Sequence, residues 1–205
     1  MSRRTRERSE VTGVIIVVMG VSGAGKTTVG RALARRLGWP FHEGDDLHPE
    51  ENVRKMLRDE PLTDEDRRPW LERVRELAAR EASRGVDAVV TCSCLKRAYR
   101  DVVRGPAAGT PPAGGKQPPG GESRAAKTAD IRFVYLAIDP ETAKERVGGR
   151  RDHFFDASLV ASQFGTLEPP RRALTLDATR PVDELVDTAL AGLDLEDRGA
   201  PPNGR

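Results

Sequence analysis

The sequence predicts an α/β fold: one five-stranded parallel sheet with helices on both faces. Three observations predict it. Short apolar runs alternate along the chain with amphipathic stretches. The first run, Val14-Ile-Ile-Val-Val-Met19, is continuous and branched rather than alternating, as in a strand covered on both faces. A Gly-rich loop then joins that run to a segment of helical period, as in units that cross over to a parallel neighbour.

The elements follow in order. Residues 26–37 carry Val29, Leu33 and Leu37 at helical spacing and stop at Gly38. Trp39-Pro-Phe-His42 forms a short second strand, and residues 49–57 a short helix with Pro in its first turn. Thr63-Asp-Glu-Asp66 resembles a capping box with Asp in place of the usual Glu. It opens a long helix through Trp70, Leu71, Val74, Leu77 and Ala78, closed by Gly85. Trp70 and Met56 read as core. Residues 87–92 form a third strand, 96–104 a helix, 131–138 a fourth strand, 140–147 a helix and 173–177 a fifth strand. The closing helix, 181–193, sets Val182, Leu185, Val186, Ala189 and Leu190 on one side. Ligands of such sheets bind beyond the carboxyl ends of the strands.

The 205 residues suit one domain, 13–195, with trimmings. Residues 1–12 read as a mobile arm and 196–205 as a disordered tail. Residues 105–129 hold six glycines and five prolines and almost no large apolar side chain, too little to offset the entropy of ordering them. They read as a disordered surface insert, or alternatively as a linker that docks a partner through its prolines. A net charge of +2 makes no case for nucleic acid. The first apolar run is too short to span a membrane and no signal-cleavage pattern follows it, so the cytoplasm is the expected location. Cys92 and Cys94 stand one residue apart; in a strand they would point to opposite faces, which argues for two reduced thiols.

The loop Gly20-Val21-Ser22-Gly23-Ala24-Gly25-Lys26-Thr27, followed by Thr28, matches the Walker A pattern in the strand–loop–helix context the motif requires. Its glycines let backbone N–H groups turn inward around an anion, and the helix N-terminus adds its partial charge. Lys26 can reach the outer phosphates of ATP, and the Thr27 hydroxyl can ligate Mg²⁺. The loop alone does not separate a GTPase switch, an ATPase motor and a small-molecule kinase. After the second strand, the carboxylates of Phe41-His-Glu43-Gly44-Asp45-Asp46-Leu47-His48-Pro49 face the phosphate loop across the expected cleft, where an acceptor hydroxyl needs one. An Asp before Pro49 is equally a helix cap.

The pieces that follow are Asn52-Val-Arg-Lys55-Met56, Pro61-Leu62-Thr63-Asp64-Glu65-Asp66-Arg67-Arg68-Pro69-Trp70-Leu71, Cys92-Ser-Cys-Leu-Lys96-Arg-Ala-Tyr-Arg100-Asp101, and His153-Phe154 with Ser162-Gln163-Phe164-Gly-Thr-Leu167-Glu168. In this order and spacing they resemble the gluconokinase family of small P-loop kinases, over about residues 14–190 apart from the insert. The resemblance implies a nucleoside-monophosphate- or shikimate-kinase-like fold with a lid at 148–166, hinged at Gly148-Gly149. It also implies transfer of the ATP γ-phosphoryl to the 6-hydroxyl of D-gluconate, whose product feeds the pentose phosphate or Entner–Doudoroff route. By the family's positions Asp45 orients and deprotonates the acceptor hydroxyl. Glu43 stands near Mg²⁺ through water. Arg67, Lys96 and Arg100, with His48 and Lys55, face the acceptor. Arg146 and Arg150 act from the lid, while Arg151 is a weaker match and His153 serves structure or lid docking. The loop 177–181 helps hold the adenine, and a homodimer is compatible with the family.

Simpler readings stay open. Arg67 can pair with Asp64 or Asp66 on one helix face, and Lys96 and Arg100 can form one solvated face. Another acceptor such as shikimate, or a non-catalytic nucleotide-dependent binding protein, are the competing functions. Cys94 stands where the family usually has a small residue such as Ala, and the insert after Arg104 is far longer than the family's turn.

Overall fold

A computed structural model describes residues 13–58, 60–105, 129–148 and 157–195, with the backbone alone at 157–159. The arm, residues 106–128 of the insert, the tail, and Gly149, Arg150, Arg151 and His153 of the lid lie outside the described residues.

The elements are β1 (Val14–Met19), α1 (Lys26–Leu37), β2 (Phe41–His42), α2 (Glu50–Met56), α3 (Asp64–Ser83), β3 (Ala88–Thr91), α4 (Arg97–Arg104), β4 (Asp130–Ala137), α5 (Pro140–Gly148), α6 (Ala157–Thr166), β5 (Leu174–Asp177) and α7 (Val182–Gly192). A 3-10 turn, Gly44–Leu47, follows β2. All strand pairs are parallel, in the order β2-β3-β1-β4-β5. The strand that carries the phosphate loop is therefore central, with crossovers on both sides.

The continuous apolar run of β1 is explained by its two faces. Ile16 and Val18 enter one core with Val29, Leu33 and Leu37 of α1 and Leu185, Val186 and Ala189 of α7. Ile15, Val17 and Met19 enter the other with Trp70, Leu71, Val74 and Leu77 of α3 and Tyr99 and Val103 of α4. All five are fully buried, each contributing roughly 1.5–3 kcal/mol. The expected capping box closes both ways: Asp66 N donates to Thr63 Oγ1 (3.2 Å) and Thr63 N to Asp66 Oδ2 (2.9 Å).

Four local expectations change. The second strand shrinks to Phe41–His42. Pro40 has no N–H to offer a ladder and contributes only its carbonyl, which accepts from Val89 N at 3.0 Å. Met56 is half-buried and belongs to neither core. The cysteines do not point to opposite faces. The strand ends at Thr91, Cys94 takes a left-handed φ of 44°, and the two Sγ atoms lie 3.1 Å apart in full burial as free thiols. Helix α6 lies in the segment expected as a lid, where the periodicity reading assigns no helix.

Candidate active site

The site is built at the carboxyl ends of the strands. The loop after β1 turns on Gly23 and Gly25, both with positive φ (83° and 90°), a backbone that side chains resist. At Gly23 a Cβ would also meet the Ala143 carbonyl at 2.5 Å. Val21 and Ala24 are buried in the core, so they anchor the loop and leave only backbone to face a ligand. Helix α1 starts from Gly25 with no side-chain cap and no acidic residue in its first turn. Its first N–H groups and partial charge thus suit an anion. Lys26 curls over the loop, Nζ donating to Val21 O at 3.1 Å, and half-buried Thr27 sits in the first helical turn. Beside the loop is a cavity of about 280 Å³ lined by Gly25, Thr28, Arg146, Ala178, Arg180 and Leu185, among others. Arg146 Nη1 donates to Ala178 O at 2.9 Å, which fixes the guanidinium at its wall. A hollow between that arginine and the loop after β5, next to the phosphate loop, is placed to take the nucleoside end of a nucleotide.

Across the cleft, half-buried Glu43 follows β2, and Asp45 and Asp46 are exposed in the first turn of the 3-10 segment. The charge of Asp45 is felt at Cys92, just past β3; burial first, and Asp45 among the later causes, push that thiol up. Among the described residues no three His, Cys, Asp or Glu side chains converge as a metal cage. Mg²⁺ keeps most of its waters and leans on phosphates with one or two protein oxygens; the half-buried Thr27 hydroxyl and Glu43 carboxylate are oxygen donors of that kind.

The cations expected around an acceptor do gather, but they are held by partners. Lys96 binds both oxygens of Asp64 (2.7 and 2.8 Å), which also accepts from the Tyr99 hydroxyl. These two donors hold the Asp64 carboxyl below its ordinary range, and Asp64 raises Lys96. Lys55 grips Asp66 through both oxygens (2.7 Å each). Arg67 pairs with neither aspartate; its guanidinium lies 5.9 Å over the Tyr99 ring. His48 stacks on Trp70 at 4.1 Å, and burial, with the Arg67 charge second, lowers its pKa to about 4. It is a neutral ring at neutral pH.

Arg100 corrects the solvated-face reading. It is 5% exposed and its Nη1 donates to the Cys94 and Leu95 carbonyls, both at 2.9 Å, so it braces the loop that presents Lys96.

Helix α6 supplies contacts that no local signal announces. The Gln163 side-chain amide accepts from Ser22 N (2.7 Å) and donates to Ser22 Oγ (2.9 Å), clasping the phosphate loop. Five residues on, Glu168 N donates to Leu95 O (3.0 Å), while its carboxylate accepts from Arg97 N (2.6 Å) and caps α4 from a distance. One strap thus touches both sides of the cleft. The sequence signals these residues only as members of the motif Ser162-Gln163-Phe164-Gly-Thr-Leu167-Glu168, without indicating what they touch.

Comparison with known proteins agrees with this geometry. A family model described as an AAA domain matches residues 15–170. A probable gluconokinase of Xenopus tropicalis is 40% identical over 176 residues, covering 84% of this chain and 90% of the relative. The gluconokinase of Gluconobacter oxydans (strain 621H) is 43% identical over 155 residues, covering 76% and 75%. The crystal structure of a gluconokinase from Sinorhizobium meliloti 1021 superposes with a TM-score of 0.71 at 41% identity, covering 90% of this chain and 93% of that one.

Proposed function

The chain belongs to the gluconokinase family and is a kinase acting on gluconate, and from that premise we propose how its residues divide the transfer of a phosphoryl group from ATP to the 6-hydroxyl. The observation that carries the assignment is that phosphate loop, acidic turn and cation cluster all lie beyond the carboxyl ends of adjacent strands β1, β2 and β3.

Lys26 and the loop N–H groups hold the outer phosphates, with Thr27 and Glu43 beside the metal site. ATP supplies the phosphoryl group, and Mg²⁺, when bound, offsets charge on its oxygens. Asp45 orients the acceptor hydroxyl and takes its proton, while the cation cluster of Lys96, Arg67 and Lys55 binds the sugar acid and its carboxylate. His48, uncharged, offers a hydrogen bond without adding charge. Arg100 acts through the loop it braces. The lid arginine Arg150 is assigned to the charge that develops on the transferred group, whereas Arg146, expected beside it, is held on Ala178 O and serves the nucleoside hollow instead.

The test is an acceptor panel with ATP, Mg²⁺ and ADP detection, run on the parent and on Asp45→Asn. Gluconate turns over and shikimate does not. Asp45→Asn lowers kcat by about 10²–10⁴ with little change in KM. Shikimate turnover without gluconate turnover overturns the acceptor, and an unimpaired Asp45→Asn overturns the base.

A further inference from the structure

We propose that Thr91 and Trp70 are positioning residues for this reaction: together they clamp the Gly44 peptide and so aim Glu43 and Asp45 into the cleft. The inference rests on the assignment of those two carboxylates and extends it to residues that touch no substrate.

The clamp closes from both sides. Gly44 N donates to Thr91 Oγ1 at 3.0 Å, and Trp70 Nε1 donates to Gly44 O at 2.7 Å, both buried. The Thr91 hydroxyl in turn donates to the Glu43 carboxylate. One hydroxyl therefore fixes a backbone group with its lone pair and a functional side chain with its proton, which completes the use of its single proton. Both clamping residues are 1% exposed. A Cβ on Gly44 would lie 1.8 Å from the Thr91 carbonyl, so the turn is seated directly on the end of β3.

The seat has a reference point. Thr91 is paired in register with Val18 of β1, and Cys92 N donates to Val18 O at 3.1 Å, two residues before the phosphate loop begins at Gly20. The carboxylates on the turn are thus held relative to the strand that carries the phosphates. Asp45 itself is exposed on a four-residue 3-10 turn, which has little rigidity of its own. Displacements on the scale of 1 Å at a reacting group cost up to about 10²-fold in rate, so the aim of this turn matters more than its contribution to folding.

The experiment compares Thr91→Val, Thr91→Ser, Trp70→Phe and Asp45→Asn with the parent. It measures kcat, both KM values, the half-saturating Mg²⁺ concentration and the melting temperature. Thr91→Val keeps the shape of the side chain and removes both hydrogen bonds; kcat falls about tenfold or more, KM for ATP stays within about twofold, and half-saturating Mg²⁺ rises because Glu43 loses its donor. Thr91→Ser restores the hydroxyl and recovers most of the rate. Trp70→Phe keeps the ring on His48, removes the N–H, and lowers kcat about fivefold; it decides the matter should Thr91→Val fail to fold. Parental kcat in folded Thr91→Val or in Trp70→Phe overturns the clamp, as does Thr91→Ser impaired as deeply as Thr91→Val, which would show that packing alone matters. If Asp45→Asn is inactive while the clamp variants are unimpaired, the clamp fails and the assignment of Asp45 stands. If Asp45→Asn is unimpaired, that assignment fails first.

Discussion

Replacing Gln163 by Leu tests whether helix α6 holds the phosphate loop in working shape. The amide of Gln163 makes two hydrogen bonds to Ser22, at 2.7 Å to the backbone N and 2.9 Å from its own Nε2 to Oγ, in a half-buried position. Leu is comparable in bulk, one atom shorter, and offers neither partner. Each net hydrogen bond is worth about 1 kcal/mol, and a backbone N–H left without a partner costs about 1–3 kcal/mol when buried. Water reaches this position in part, so the combined loss is about 1.5–2.5 kcal/mol, or about 10- to 60-fold in an equilibrium constant at 1.4 kcal/mol per tenfold. The loss falls on the nucleotide. Initial rates with each substrate varied in turn should show KM for ATP raised by about tenfold or more, with KM for gluconate within about twofold. Calorimetric titration with a non-hydrolysable ATP analogue should weaken to the same degree. The counterpart is Glu168→Ala, which strips the cap from Arg97 N and loosens the loop presenting Lys96; its KM rises for gluconate instead. An unchanged KM for ATP in Gln163→Leu would show that Gln163 does not hold the phosphate loop, and an equal rise in both KM values would show general loosening instead.

Two further predictions concern stability. The folded pKa of His48, about 4, lies below its ordinary 6.5, so the unfolded chain takes up the proton first as pH falls. The contribution is complete above about pH 6.5, declines through the window down to about 4, and totals no more than about 3.5 kcal/mol. Denaturant melts across that range should show the slope, and His48→Phe, which keeps a ring on Trp70, should flatten it. Thr63→Ala removes the side-chain cap of α3 and should cost about 1 kcal/mol, lowering Tm by about 2–4 °C in a thermal melt; an unchanged Tm would mean the capping box adds nothing to the fold.

What could be read from the residues alone was local. The apolar run of β1, the glycine spacing of the phosphate loop and the Thr63–Asp66 capping box each depend on neighbours within a few positions, and each has a local physical signature. Asp45, Lys55, Arg67 and Lys96 could be singled out because several short motifs in fixed order resemble one family. Their partners could not be foreseen. Asp64 lies 32 residues from Lys96, and Asp66 is 11 from Lys55. The spacing on one helix instead suggests that those aspartates pair with Arg67. Ser22 and Gln163 are 141 residues apart, Arg97 and Glu168 are 71 apart, and Gly44 and Thr91 are 47 apart. Hydrogen bonds over such separations leave no periodic trace, because they are fixed only when parallel strands bring their carboxyl ends to one edge. The facing of Cys92 and Cys94 likewise depended on where the strand stopped. Sequence determined that this chain holds a phosphate loop on the first strand of a parallel sheet. Tertiary structure decided which side chains brace that loop, seat the acidic turn and hold the cations in place, since those contacts arise from distance in space rather than distance along the chain.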